Sequence, residues 1–191
     1  MNWQTFGFGY LPKSQIVHFV TDSYHGQSVK QFERDRRGKT AEYCLGGPST
    51  KLPRDFKAFM LNASNKTQLL RFLLSEWQTD RYAVRLRGKS LYFVCEERCV
   101  CLTSINGLTT DCQEIECLYS DQEEADTRIV LHCMFVAANE LAIPSNTSIV
   151  VRSPDTDVMV ILFFLFNSQR YKIQNKQRNV NECIVVGHEG I

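Results

Sequence analysis

Carboxylates concentrate in two short stretches of this chain, and residue types spaced this way can hold a cation or move a proton. The first stretch is Ser120-Asp121-Gln122-Glu123-Glu124-Ala125-Asp126 and the second is Ser153-Pro154-Asp155-Thr156-Asp157. A Ser followed three positions later by a Glu is a capping-box pattern, so Ser120 and Glu123 predict a helix start. The β-branched run at 147–151 predicts a short buried strand over 148–151 whose chain turns at Pro154. Each acidic pair is therefore expected at a helix start or just past a strand end. Active sites of open α/β sheets gather outside the carboxyl ends of the strands, so the two pairs are expected to converge on one cleft.

Asp126 carries a further requirement. Ile129, Val130, Cys133 and Ala137 follow it at +3, +4, +7 and +11, which at helical pitch places Asp126 on an apolar stripe. An ionised carboxylate buried without a partner is costly, and the remedies are a cation, a hydrogen-bond network or protonation. Helix capping and the favourable end of the dipole would explain a single pair. Two such clusters together favour a functional site.

The elements that must position these acids can be read along the chain. The first 13 residues hold aromatics and glycines without periodicity and predict an irregular lead-in. Residues 16–21 are a short apolar run that predicts a buried strand, with Asp22 as a third acid at a strand's carboxyl end. His18, inside that strand, is expected to be a core histidine rather than a ligand. From Ser28 the pattern is helical, with Lys30, Arg34 and Arg37 on one basic face. That face is either a solvated surface or a phosphate-contacting one. A loop is expected over 38–53. A helix is predicted over 66–78, capped by Ser64 or Asn65 and burying Leu69, Leu70, Phe72, Leu73 and Trp77. Residues 83–86 and 90–103 read as strands, the second forming a hairpin about Glu96-Glu97-Arg98, with a further turn at Asn106-Gly107 and a short strand at 114–118. The apolar run after Asp157 is helical at its start, and 171–173 and 183–186 are expected to be strands.

Length and composition bound the rest. A chain of 191 residues with 43% hydrophobic residues suits one globular domain with a sizeable core. The net charge of +1 excludes a uniformly basic nucleic-acid binder, but the charge is unevenly placed. Positions 30–39 hold five basic residues against two acids, whereas 99–127 holds seven acids and no Lys or Arg. Eight cysteines form no CxxC, and no His lies between Cys95 and Cys117, so reduced thiols are expected rather than a structural zinc. No basic-plus-apolar leader follows Met1, which predicts unused glycosylation sequons at Asn62, Asn65 and Asn146 and an intracellular protein, nuclear or cytoplasmic. The nine apolar residues at 158–166 are too few to span a bilayer, so no membrane partner is expected.

Taken together these stretches resemble the PIN-like, flap-endonuclease-type 5′ nuclease superfamily. There a strand ending in an aspartate precedes a basic helix, and here residues 17–22 lead to Lys30, Arg34, Arg36 and Arg37. The middle motif, a strand, a Ser/Pro turn and a Glu-Ala-acid helix start, is matched by Ser120 and Glu124-Ala125-Asp126. The next, a strand running into Asp-x-Asp, is matched by 149–151 and Asp155-Thr156-Asp157. The resemblance spans about 16–157, and motif order carries it, since each motif alone is unspecific.

The resemblance implies an α/β fold, a three-layer α/β/α sandwich with a mainly parallel central sheet (PIN-like), plus a β-hairpin insertion. It implies that Asp22, Glu124, Asp126, Asp155 and Asp157 hold one or two Mg²⁺ or Mn²⁺ ions and are the catalytic acids of phosphodiester hydrolysis. Glu123 is the alternate to Glu124, because helical pitch pairs it with Asp126. Lys30, Arg34 and Arg37 would contact the backbone of the nucleic-acid partner, DNA or RNA. The family also carries an earlier metal-binding aspartate and later helical elements. Residues 1–15 contain no acid and 34 residues follow Asp157, so the expectation is one truncated PIN-like nuclease domain over 1–191 with impaired catalysis. Two alternatives stand beside it. One is an inactive nuclease-like module that binds nucleic acid or a protein. The other is a haloacid-dehalogenase-type phosphotransferase, disfavoured by Pro154 ahead of Asp-x-Asp and by the short tail.

Overall fold

The computed structural model describes residues 11, 14–23, 41–47, 50–51, 53–138, 148–153, 156–168 and 182–188. In chain order these form β1 (Ile16–Thr21), α1 (Phe56–Met60), α2 (Ala63–Trp77), a 3₁₀ turn (Asp80–Tyr82), α3 (Ala83–Leu86), β2 (Ser90–Cys95), β3 (Arg98–Thr103), β4 (Asp111–Glu114), a second 3₁₀ turn (Glu116–Leu118), α4 (Ala125–Ala138), β5 (Ser148–Arg152), α5 (Thr156–Ser168) and β6 (Glu182–His188).

Among the described residues six strands make one mixed sheet in the order β4-β3-β2-β1-β6-β5. β1 lies at its centre and runs parallel to both β2 and β6, and β5 runs parallel to β6. The β2–β3 and β3–β4 pairings are antiparallel. The protein is therefore α/β, and the expected hairpin extends the sheet rather than standing apart from it. β1 is buried along Val17, His18, Phe19, Val20 and Thr21, which is why it reads as an unbroken apolar run rather than an alternating one. β4, at the edge, is exposed throughout and carries Asp111 and Glu114, charges that discourage pairing with another chain.

Helices cover both faces. Val17, Phe19, Leu91, Phe93 and Leu102 meet Leu69, Leu73 and Trp77 of α2 and Leu86 of α3 on one side. Val20, Val94 and Cys99 meet Ile129 and Cys133 of α4 and Val158 of α5 on the other. The alternation of side chains along β1 divides the two cores. On the first side the Phe19 and Phe93 rings stack at 5.4 Å, and Trp77 stands edge-on to Phe93 at 5.1 Å.

Several boundaries differ from expectation. α2 begins at Ala63, not Lys66, because Asn62 is the cap: its Oδ1 accepts from Asn65 N–H at 3.2 Å. Asn65 is fully buried instead, its Oδ1 accepting from Tyr43 N–H and its Nδ2 donating to Ala41 O and Phe59 O. Phe72 is half-buried, while Leu69, Leu70, Leu73 and Trp77 are buried as expected. Residues 83–86 are helical, since Ala83 and Leu86 are buried at a spacing of three, a helical repeat. The strand expected at 114–118 ends at Glu114, and a 3₁₀ turn follows. Asn106-Gly107 does form a turn: Gly107 has φ +75° and Asn106 Oδ1 accepts from Leu108 and Thr109 N–H. The strand expected at 171–173 lies outside the described residues.

Candidate functional site at the carboxyl edge of the sheet

Parallel pairing sends the carboxyl ends of β1, β2, β5 and β6 to one edge of the sheet. Asp22 follows β1 there, half-buried, and its Oδ1 accepts from Ala125 N–H at 3.0 Å. Ser23 N–H donates to Glu123 O at 2.9 Å. A carboxylate 103 residues away in sequence thus caps α4, in place of the Ser120–Glu123 box. Ser120 Oγ accepts only locally, from Gln122 N–H at 3.2 Å, within the turn before the helix.

α4 starts at Ala125, so Glu123 and Glu124 both precede it, and the helical pitch that would pair Glu123 with Asp126 does not apply. Both glutamates and Asp126 are half-buried. Asp126 Oδ1 accepts from Thr127 N–H at 2.6 Å. The buried stripe of α4 runs instead through Ala125, Arg128, Ile129, His132, Cys133, Val136 and Ala137. Asp126 and Val130 therefore flank the apolar face rather than lie on it.

Arg128 is the residue that sequence reasoning missed. Only 1% of it is exposed. Its Nη1 donates to Thr21 O at 3.2 Å and its Nη2 to Ser120 O, so one guanidinium bridges the end of β1 and the chain leading into α4. Burial lowers its affinity for its proton, and Asp22, Glu97 and Asp121, in that order, pull it back up. Glu97 arrives from the β2–β3 turn, which Ser120 N–H fastens by donating to Glu97 O at 3.1 Å. Two of the acids that act on this fixed protein cation, Glu97 and Asp121, are not among the predicted site residues. The one available signal was Arg128 itself, four residues before His132 in an otherwise apolar stretch.

The remaining predicted residues divide. Asp157 is exposed in the first turn of α5, beside Val158, which is 1% exposed in the core between α4, α5 and the sheet. Asp155 lies outside the described residues, as do Lys30, Arg34 and Arg37. The structure therefore brings Asp22 to the start of the helix that carries Asp126, with Glu124 just before it. Among the described residues no three His, Cys, Asp or Glu side chains are grouped to hold a metal ion. Seven described cysteines have free thiols, and burial pushes those of Cys95 and Cys101 up to about 11, away from nucleophilic use at neutral pH. Among the described residues no helix is long and apolar enough to cross a membrane.

No family model matches the chain, and neither a curated protein nor a solved structure shows a significant match to it.

Proposed function

We propose that the chain is a divalent-metal-dependent, nuclease-type domain of PIN-like α/β/α architecture that acts on phosphodiesters of DNA or RNA inside the cell, in the nucleus or cytoplasm. The observation that carries the reading is the hydrogen bond from Ala125 N–H to Asp22 Oδ1, which joins the aspartate of the central strand to the helix start bearing Glu124 and Asp126. The parallel β5–β6 pairing points the carboxyl end of β5 toward that same edge, and α5, with Asp157 in its first turn, follows β5 in the chain.

Carboxylates are the donors that Mg²⁺ and Mn²⁺ prefer, so the chemistry of the set fits. The described acids do not by themselves make a cage of three, and Asp155 would complete it with Asp22 and Asp157. A divalent ion held there supplies Lewis acidity toward a phosphodiester. The protein's own part would be to fix the carboxylates: Asp22 through the α4 cap, and the chain before Glu124 through Arg128. Lys30, Arg34 and Arg37 would neutralise the nucleic-acid backbone.

Arg128 favours a second reading, a nuclease-like module that binds nucleic acid or a protein without turnover. A buried guanidinium already supplies positive charge near this edge, where Asp22 is the acid that acts on it most, which lowers the demand of this edge for a metal ion. One experiment separates the two. Mn²⁺ binding is measured by calorimetry and cleavage of single-stranded and flap DNA and of single-stranded RNA is assayed in parallel, with Asp155→Ala as the background. The nuclease reading expects Mn²⁺-dependent cleavage, slowed at least about 100-fold by Asp155→Ala. Cleavage equal to that of the variant, with nucleic acid still bound, supports the second reading.

A further inference from the structure

His18 in the middle of β1 and His132 on α4 meet inside the protein with their Nδ1 atoms 2.7 Å apart. His18 is fully buried and His132 is 1% exposed. Their rings stand nearly perpendicular, at 82°, with centroids 5.0 Å apart. Tyr92 stacks flat on His18 at 4.1 Å and 3°, and Phe135 closes against it edge-on.

A single hydrogen fits between two ring nitrogens at this distance, so one ring donates and the other accepts. The buried His18 Nε2 has no hydrogen-bond partner. An unmet acceptor is a smaller loss there than an N–H with nothing to donate to, which makes His18 the Nδ1–H donor and His132 the acceptor, with its proton on Nε2. Proton uptake has no comfortable place to go. A proton on His18 Nε2 would be a buried donor without an acceptor, and a proton on His132 Nδ1 would set two N–H groups face to face and remove the Nδ1···Nδ1 bond.

The charges around the pair act in the same direction. On α4, Arg128 lies one turn before His132 and disfavours a second cation, adding to the larger effect of burial, which together push His132 down to about 3. From β2 the facing group is the neutral Tyr92 phenol ring. On β6 the register sets Val185 beside His18 and His188 three residues further along, beside Thr21. From α5, Val158 and Leu162 belong to the core on this face. Among the described residues no carboxylate acts on either ring.

We propose that His18 and His132, with Arg128 one turn away, form an acid-operated latch between β1 and α4: closed while both rings are neutral, and opened by proton uptake that frees α4 and with it the Asp22 edge. The latch does not depend on the nuclease reading, since it concerns how α4 is held and not what the edge binds. Both rings bind protons more weakly folded than unfolded, so their effect on stability is absent above the unfolded value of about 6.5 and grows as pH falls below it. Each buried ring should shift the equilibrium about tenfold per pH unit in that window.

The test is urea unfolding of the whole chain at pH 7.5, 6.0 and 5.0, for the natural sequence, His18→Gln, His132→Gln and the double variant. The unfolding constant of the natural sequence should rise by about 60-fold between pH 6.0 and 5.0, each single variant should lose about eightfold of that rise, and the double variant should lose nearly all of it. An equal rise in the natural sequence and the double variant would overturn the latch. Should the variants fail to fold, ¹⁵N spectra of the histidine rings in the natural sequence decide. Two of the four rings should stay neutral to pH 5.5, one of them in the Nδ1–H form, and a midpoint near 6.5 for both His18 and His132 in the folded protein would end the proposal. Hydrogen exchange corrected for intrinsic rates gives the local reading. At pH 5.0 the amides of α4 should exchange faster than those of α2, and equal acceleration of both would show that there is no separate latch.

Discussion

Asp22 serves two masters at the scale of a single side chain. Its Oδ1 accepts from Ala125 N–H, and its charge faces the buried Arg128. An aspartate retained for metal binding and one retained for capping differ in how they respond to loss of charge alone. Asp22→Asn keeps an acceptor for the helix start, whereas Asp22→Ala removes it and leaves an orphan donor. We expect Asp22→Ala to lower stability by about 1–2 kcal/mol and Asp22→Asn to lose less than half of that, as measured by urea unfolding. Paired Mn²⁺ calorimetry completes the comparison. If Asp22→Asn folds well yet binds no Mn²⁺, the carboxylate is a ligand as well as a cap. Unchanged Mn²⁺ binding would restrict Asp22 to the structural role.

Among the elements, the β2–β3 hairpin shows how one turn reaches the candidate site. Glu96 adopts φ +58° at its tip, a conformation that costs an L residue about 1–2 kcal/mol relative to glycine. Arg71 of α2 holds it with two charge-assisted bonds, Nε to Oε2 at 2.9 Å and Nη2 to Oε1 at 2.7 Å. Both side chains are well exposed, so that pair is worth less than about 1 kcal/mol. Backbone strain should therefore win, and Glu96→Gly is expected to stabilise the protein slightly, by up to about 1 kcal/mol. A loss of stability on chemical denaturation would mean that the Arg71 pair dominates. The neighbouring Glu97 carries the consequence, because its carbonyl receives Ser120 N–H and its charge reaches Arg128. A looser turn would release one support of the carboxyl edge.

For the molecule as a whole, the two faces of the sheet do different work. The face toward α2 is apolar and aromatic, with Trp77, Phe19 and Phe93 all at most 2% exposed. The face toward α4 mixes apolar residues with Arg128, His132 and His18. Trp77→Ala should cost about 3–5 kcal/mol, because a large cavity would open against two stacked rings. Circular dichroism melts will check this, and a cost under about 1 kcal/mol would show that this face collapses to refill the space.

Much of this was legible from residue order. The strands at 16–21, 90–95 and 98–103 and the buried side of α2 at Leu69, Leu70, Leu73 and Trp77 follow from local apolar patterns, because neighbours in sequence set the periodicity of a strand or helix. So does the turn at Asn106-Gly107, where a left-handed residue must be accommodated. Ends of elements were less legible. Ala125 is capped from another strand and α2 from Asn62, and the hydrogen-bond partner that ends a helix need not lie beside it in sequence.

What the sequence by itself determined is the placing of Asp22, Glu124, Asp126 and Asp157 next to the ends of regular elements, since propensity and spacing are local properties. What only the tertiary structure decided is their company. Arg128 looks like an ordinary helical arginine and His18 like a lone core histidine, until β1 and α4 are laid together. Then one becomes a clamp on Thr21 O and Ser120 O and the other half of a hydrogen-bonded pair. Burial and partnership arise only when elements distant in sequence remove one another from water, and the same desolvation turns polar side chains of ordinary type into groups with fixed partners.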